Sequence, residues 1–573
     1  MNLEMTDSRR LTGPNLYWDR PSAIIDVSID ESPETVIQAW DEAAKLWLDR
    51  VGYSEENTCF RVFDGGASLL ISAPIDVLYS MCELNELAWS SAVAVCAGGE
   101  APDPDEEIPR LNRLFDEERN PALLALQAAA QRQGVPFLWD DDEVSLGYGK
   151  TCRCWSPDAL PAPDELDWSR FGTVPLALVT GTNGKSTTVR LAAAIMTAAG
   201  FNAGLTSTDF IRVGERLIDR GDYSGTGGAR MLMRQPDLEM AVLEVARGGL
   251  LRRGLGVERA DAAVVTNVAA DHLGEYGINS VEDLIPVKFM VRRALGKNAP
   301  LILNADDEGV VAFARELDNR IVWFSLDNAN PQLGKALAEG DTAAWLEGDA
   351  LMLAQGATRR QVARVAEIPA SMSGIVRYNV GNALAATCIA AVLGIDDDAI
   401  RKGLASFRGD EHDNPGRGNW FEREMDGGTV RILVDFAHNQ HGMEALAETI
   451  GQVPSERIIL LIGQAGDRLD KDIADLVRAA CKVRPQKLLV AELPGYERGR
   501  EPFEVPELIR AEALRNEVPD EDIAVFPSPR DATAEALCCA QPGDLLVLLA
   551  LTQRTETLEL IHHYVDSGES GLG

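Results

Sequence analysis

The 573-residue sequence holds only six histidines, aromatic residues make up 6% of it, and none of its nine cysteines stands in a C-x-x-C pair. Zinc knuckles and a disulfide framework both need paired cysteines, so Cys152, Cys154, Cys538 and Cys539 read as free thiols. Positive charge is also scarce, with 54 basic residues against 90 acidic ones and a net charge of −36. That balance argues against nucleic acid and anionic membranes as partners, and it favours a cationic substrate over an anionic one. Most of the carboxylates are expected to form a solvated surface. No stretch is apolar for long enough to cross a bilayer, and the opening "MNLEMTDSRRLTGPNLYWDRP" has no signal-peptide core, so a cytoplasmic protein without a membrane partner is expected. The oligomeric state is left open, a homo-oligomer included.

What is present is a chain 46% hydrophobic and long enough for three or four domains. The expected class is α/β. A smaller N-terminal module of α/β or α+β type spans 1–155, with strand-like "SAIIDVSI" and "ASLLISAPI" and helical "PETVIQAWDEAAKLWLDRVG". The proline-rich, acidic "WSPDALPAPDELDW" reads as a linker within 156–173. A P-loop domain with a mostly parallel sheet is expected over 174–408, where apolar runs such as "EMAVLEVARGG" and "ADAAVVTNVAADHLG" end in polar or glycine-bearing residues. Over 409–573 the same logic recurs in "VRILVDFAHN", "RIILLIGQAGDR" and "DLLVLLAL", which predicts a Rossmann-like domain.

The most informative stretch is "VTGTNGKSTTVRLAAAIMTAAG". The apolar "VPLALV" predicts a strand that delivers the chain into Gly181, Thr182, Asn183 and Gly184, whose backbone N–H groups can curl around an anion. Leu191, Ala194, Ile195 and Ala198 then repeat at helical spacing up to Gly200, so a helix N-terminus faces the same anion. Lys185 is placed to reach the β- and γ-phosphates and Ser186 to bind Mg²⁺. The GxxxxGK[ST] pattern is only half met, because its first glycine is missing; the fit is to the shorter G-T-N-G-K-[ST]. Glu244 ends a predicted buried strand, where an acid can bind the metal that bridges nucleotide phosphates. Asn267, Asp271 and His272 follow another such strand and suggest a second metal-binding position.

Together "GTNGKST", "LEVARGG" and "TNVAADHLG" resemble the Mur ligase superfamily of ATP-dependent amide-forming enzymes, to which the folylpolyglutamate synthases also belong. "GDYSGTGGARMLMRQPDLEMAVLEVARGGLLRRGLG" and "VVTNVAADHLGEYGINSVEDLIPVK" resemble in particular the ligase half of the cyanophycin synthetases. The resemblance implies ATP and Mg²⁺ as cofactors. Gly181, Thr182, Asn183, Gly184, Lys185, Ser186 and Thr187 become the phosphate cradle, and Lys185, Glu244, His272 and Lys288 the catalytic set. Ser186, Glu244 and His272 are implied metal ligands, joined by Lys288 if CO₂ carbamylates it. Asn382 in "YNVGNALAA" matches a base contact, Arg417 and Asp435 match nucleotide contacts from the last domain, and His438 and Asn439 lie beside them. Asp467 and Arg468 carry the match to a G-D-R loop that Gln464 and Ala465 soften.

The opening "RRLTGPNLYWDRPSAIIDVSID" resembles the first domain of the same group, in which an ATP-grasp domain precedes the ligase half. Here only 29 positions separate Trp139 from Trp168, too few for such a domain. A single ligation is therefore expected, joining an amino acid amine, with arginine the first candidate, to an aspartyl or related small-molecule or peptide carboxylate. Tyr496, Glu497, Arg498 and Arg500 are candidates for recognising the amine. Two rival readings are a nucleotide-binding regulator that has lost the reaction and a P-loop kinase that stops at phosphorylation.

Overall fold

The computed structural model describes residues 3–567. Its N-terminal part is built on an antiparallel sheet with the spatial order Leu3–Leu11, Ser22–Ile29, Gly66–Ser72, Thr58–Phe63. Helices Pro33–Arg50 and Leu78–Ala97 bury Trp40, Trp47, Leu84 and Ala88 in one core with the sheet residues Ile25, Val27, Leu69 and Ile71. An antiparallel sheet with helices packed on it is an α+β arrangement, which resolves the α/β-or-α+β expectation for this part. The proline-rich passage is not a free tether. It forms short 3₁₀ turns at Pro157–Ala159, Pro163–Glu165 and Trp168–Arg170, and Trp155, Leu160, Leu166, Trp168 and Phe171 pack against the N-terminal core.

An eleven-stranded sheet forms the centre. Its parallel portion runs in the order Ala203–Thr206, Met240–Glu244, Leu176–Thr180, Ala262–Val265, Leu301–Asn304, Ile321–Ser325, Thr342–Glu347. Antiparallel ribbons extend it at both edges, through Phe210–Val213 and Arg216–Arg220 on one side and Ala350–Gln355 and Thr358–Arg364 on the other. Three adjacent strands of the parallel portion read MAVLE, LALVT and AAVV, with every residue buried, as expected where helices cover both faces. All three run the same way, so Glu244, Thr180 and Val265 end at one edge of the sheet, where ligand crevices form in open parallel sheets. The helix Lys185–Ala198 then packs against Asp397–Ser406. The approach is close enough that a Cβ on Gly403 would lie 2.3 Å from Ile195 Cα.

The last part is a six-stranded sheet in the order Asn419–Met425, Gly428–Asp435, Asp544–Leu549, Arg457–Ile462, Lys487–Ala491, Ile523–Phe526. It is parallel except for the first pair. Asp435 ends its strand on the side that faces the central sheet's ligand edge, which brings two sets of strand ends together.

Candidate functional site

A crevice of about 1120 Å³ lies where these strand ends meet, and Gly184, Lys185, Ser186, Glu244, Lys288 and Arg417 are among the residues that line it. The loop at its floor has the conformation its glycines allow. Gly181 has φ 147° and a Cβ there would come 1.9 Å from Thr266 Oγ1, while Gly184 has φ 84° and a Cβ would meet Asn382 Oδ1 at 2.3 Å. One part of the expected cradle is different. Thr182 N donates to Asn267 O at 2.9 Å and Asn183 N to Asn267 Oδ1 at 2.9 Å, so these two N–H groups fasten the loop to the next strand end. An anion at this place meets instead the start of the helix Lys185–Ala198, whose first turn carries N–H groups that no helical carbonyl can take. Asn382, expected at the base, packs against Gly184 and bonds Asn379 Oδ1 at 3.1 Å.

Both lysines are tied to the loop. Lys185 Nζ donates to Thr182 O and Lys288 Nζ to Gly181 O, each at 2.8 Å. Lys288 is 4% exposed, and burial together with the neighbouring Lys185 holds its amine well below the ordinary lysine range. Glu244 is 2% exposed. Its Oε2 accepts from Thr208 N at 3.3 Å, and its Oε1 has no partner among the described residues. A buried carboxylate with an orphaned oxygen, 3.3 Å from a backbone N–H and beside the hydroxyls of Ser186 and Thr208, which are 3.3 Å apart, is a donor set suited to a hard divalent cation.

The second predicted metal position is held by the last domain. His272 sits in the left-handed region at φ 52°, and burial pushes its imidazole down to about 4, so it is neutral at pH 7. Its Nε2 faces Arg468 Nη2 at 2.8 Å. Asp271 forms an ion pair with Arg468, whose Nη1 lies 3.2 Å away, and lies 3.6 Å from His438 Nε2. Burial alone would raise the Asp271 carboxyl, yet His438 and Arg468 hold it well below its usual range. His272, Glu275 and Asp467 also bring one ligand atom each within 4.8 Å of one another. Asn183 joins the two domains directly, its Nδ2 lying 3.0 Å from Asn439 Oδ1 and 2.9 Å from His441 Nδ1.

Arg417 Nη2 donates to Thr208 Oγ1 at 3.0 Å and its Nη1 to Asp209 at 2.6 Å. Burial pushes the Asp435 carboxyl up to about 6, against the pull of the Ala437 N–H and Arg417. Of the amine-recognition candidates, Arg498 lines the crevice, whereas Arg500 braces the G-D-R loop through Gly466 O at 2.9 Å and Arg468 O at 2.7 Å. Tyr496 and Glu497 do not line it. Asp209, Arg190, Asn414, His441 and Arg554 went unnoticed in the sequence. Asp209 follows "TST" close to a glycine-free turn, and Arg554 opens a helix 345 positions later, so no local spacing joins them.

A second crevice of about 930 Å³ opens from the first through Gly225, Gly249, Arg252 and Tyr276, which line both. Its far wall is N-terminal and acidic, with Glu83, Glu86 and Glu117. The N-terminal part is fastened there by backbone bonds, Thr12 N to Arg253 O and Leu255 N to Pro14 O, each at 2.8 Å.

The family model described as "Mur ligase middle domain" matches residues 179–390, and that described as "Mur ligase, glutamate ligase domain" matches 416–550. Cyanophycin synthetase of Geminocystis herdmanii is 34% identical over 500 residues, covering 84% of this chain and 56% of that protein. The enzyme of the same name from Crocosphaera subtropica is 35% identical over 375 residues, with 65% and 42% covered. UDP-N-acetylmuramyl-tripeptide synthetase of Leifsonia xyli is 28% identical over 379 residues, with 64% and 69% covered. The chain thus spans about half the length of the cyanophycin synthetases it matches. Among solved structures, E. coli FolC in complex with DHPP and ADP superimposes with a TM-score of 0.50 at 21% identity, over 68% of this chain and 88% of that one, a likeness of fold.

Proposed function

The chain belongs to the Mur ligase superfamily, and from that premise we propose that it is an ATP-dependent ligase that joins a carboxylate to an amino acid amine. The observation that carries the reading is the convergence of Lys185, Lys288 and the orphaned Glu244 carboxylate on one glycine loop, with Arg417 brought in from the last domain.

A carboxylate is a poor electrophile, and the reaction overcomes this with a phosphoryl group. An oxygen of the acid attacks the γ-phosphorus of ATP, the bond from that phosphorus to the β–γ bridging oxygen breaks, and ADP leaves. The amine nitrogen then attacks the acyl carbon, loses a proton, and the C–O bond to phosphate breaks, releasing inorganic phosphate. Two anions must approach each other in the first step, and Lys185 and Arg417 oppose that repulsion from either side of the loop. Ser186 and Glu244 would hold one Mg²⁺; His272 with a carbamylated Lys288 would hold a second once Arg468 releases the imidazole Nε2 that it now faces; such ions neutralise charge on the phosphate oxygens. Burial and the neighbouring Lys185 push the Lys288 amine toward its neutral form, the form that can add to CO₂. Asp435 and Asn382 contribute to the nucleotide's seat. Asn183, held by Asn439 and His441, keeps the last domain closed over the reacting groups and limits water.

The second crevice is the acid substrate's approach in this reading. Arg252 at its mouth suits the carboxylate, and the acidic N-terminal wall suits a cationic group on the same molecule. An aspartyl acceptor that already bears arginine, receiving arginine as the amine, fits both. The test is isotopic: acid labelled with ¹⁸O in its carboxylate is incubated with ATP, Mg²⁺ and the amine. One label should appear in the released phosphate. Phosphate released without label would sink the acyl-phosphate route, and ADP formed without amine and without a matching release of free phosphate would point to the kinase reading.

A further inference from the structure

Three arginines converge on one buried carboxylate at the domain boundary. Asp209, in the central part, accepts from Arg190 of the P-loop helix, from Arg417 Nη1 at 2.6 Å and from Arg554 Nη1 at 2.8 Å. Arg554 is the first residue of the final helix, Arg554–Ser567. The same Nη1 also donates to Pro415 O at 2.8 Å, two residues before Arg417. Both guanidinium groups lie over the Phe436 ring, at 4.8 Å for Arg417 and 5.3 Å for Arg554. Gly416, at φ 70°, lets the Arg554 stem pass, because a Cβ there would lie 2.3 Å from its Cδ.

The arrangement is asymmetric. Arg417 lines the nucleotide crevice and reaches Thr208 Oγ1, which is 3.3 Å from Ser186 Oγ; Arg554 does not line that crevice. Arg554 occupies Asp209 Oδ1, which leaves Oδ2 to be shared by Arg417 and Arg190, and it pins the Pro415 carbonyl two residues before Arg417. Three guanidinium groups on one carboxylate leave excess positive charge beside the loop, a balance that an incoming polyanion corrects.

We propose that Arg554 is a positioning residue that aims Arg417, through Asp209 and Pro415, at the terminal phosphate of the nucleotide. It thereby couples closure of the last domain to recognition of a triphosphate over a diphosphate. The proposal rests on the ligase reading for the place of the nucleotide, and its test needs no ligation.

The experiment measures binding of AMPPNP and of ADP, each with Mg²⁺, to the full chain by calorimetry. Wild type should prefer AMPPNP by about tenfold or more. Arg554→Met keeps the stem on Phe436 and Gly416 and removes only the guanidinium; it should abolish the preference while ADP affinity stays within about threefold. Arg554→Lys, whose ammonium can still meet Asp209 and Pro415 O, should recover part of the preference. In an Arg417→Ala background, Arg554→Met should cost nothing further, because the two changes remove one interaction. A preference that survives Arg554→Met, an equal loss of ADP affinity, or losses that multiply in the double variant would each overturn the proposal and leave the ligase reading standing. Wild type that binds neither nucleotide would remove both.

Discussion

In the N-terminal part, Arg9 and Asp26 are 8% and 4% exposed and bonded to each other at 2.5 Å, and each has a further partner. Ser68 Oγ donates to Asp26 Oδ1 at 2.6 Å, and Arg9 Nε to Leu251 O at 3.0 Å. The buried Trp40 Nε1 likewise donates to Asn85 Oδ1 at 2.9 Å. The crevice between the other two parts treats its charges differently. Among the described residues Glu244 keeps an oxygen without a partner and Lys288 Nζ bonds a carbonyl, while Asp435 and His272 are shifted toward their neutral forms. Burying a charge is costly unless a partner repays it. The N-terminal part repays the cost within the chain and gains a rigid scaffold. The crevice leaves it outstanding, which is rational only where the missing partner arrives with the ligand.

The sharpest way to break this contrast is Lys288→Ala. If Lys288 belongs to the chemistry, ATP turnover in the presence of acid and amine should fall at least ~100-fold, the scale of removing one group that stabilises transition-state charge. The melting temperature should hold or rise, because an uncompensated buried amine has been removed. Added acetate or formate should restore part of the rate by standing where the carbamate would stand. Turnover that is unchanged in Lys288→Ala would place this lysine with the scaffold.

The opposite outcome is expected for Asp26→Ala. It strands the Arg9 guanidinium in the core and should cost about 3 kcal/mol of stability, at the lower end for breaking a buried pair. ADP affinity of the folded protein should stay within about threefold. A large change in ADP binding with little change in melting would show that the N-terminal part acts on the nucleotide and would erase the distinction.

How much of this was written locally differs between the two regions. The strand, glycine loop and helix around Lys185 are contiguous, so spacing alone described them, and Glu244 and His272 stand at the ends of apolar runs whose direction was legible. The cluster on Asp209 was not, since Arg190, Arg417 and Arg554 meet only after three elements from two domains have packed. The same holds for Asn267, named as a strand-end residue but found holding the phosphate loop by its side chain and carbonyl. The passage around Trp155–Phe171 misled in another way. Proline and acid content mark a chain that cannot form long elements, yet five apolar side chains among them anchor it to the N-terminal core. Composition reports the backbone's regularity better than it reports burial.

The smallest expected effect concerns Asp435, and its sign tests the contrast most finely. Its carboxyl is raised to about 6 when folded, against 3.8 for an ordinary aspartate. Between those values the folded chain binds more protons than the unfolded one, so this group's contribution to stability falls as pH rises through the window, and the deficit persists above 6. Asp435→Asn cannot ionise and keeps an oxygen for the Ala437 N–H, now bonded at 2.9 Å. It should therefore melt about 2–4 °C higher than wild type at pH 7.5, with the advantage shrinking toward pH 4. Nucleotide affinity at pH 7.5 should drop, because an ionised acceptor has been lost, and wild-type affinity should weaken toward the variant's as the pH is lowered through 6. If Asp435→Asn melts lower at neutral pH, the carboxylate is already paid for by Arg417 and backbone donors, and it belongs with Asp26 rather than with Glu244.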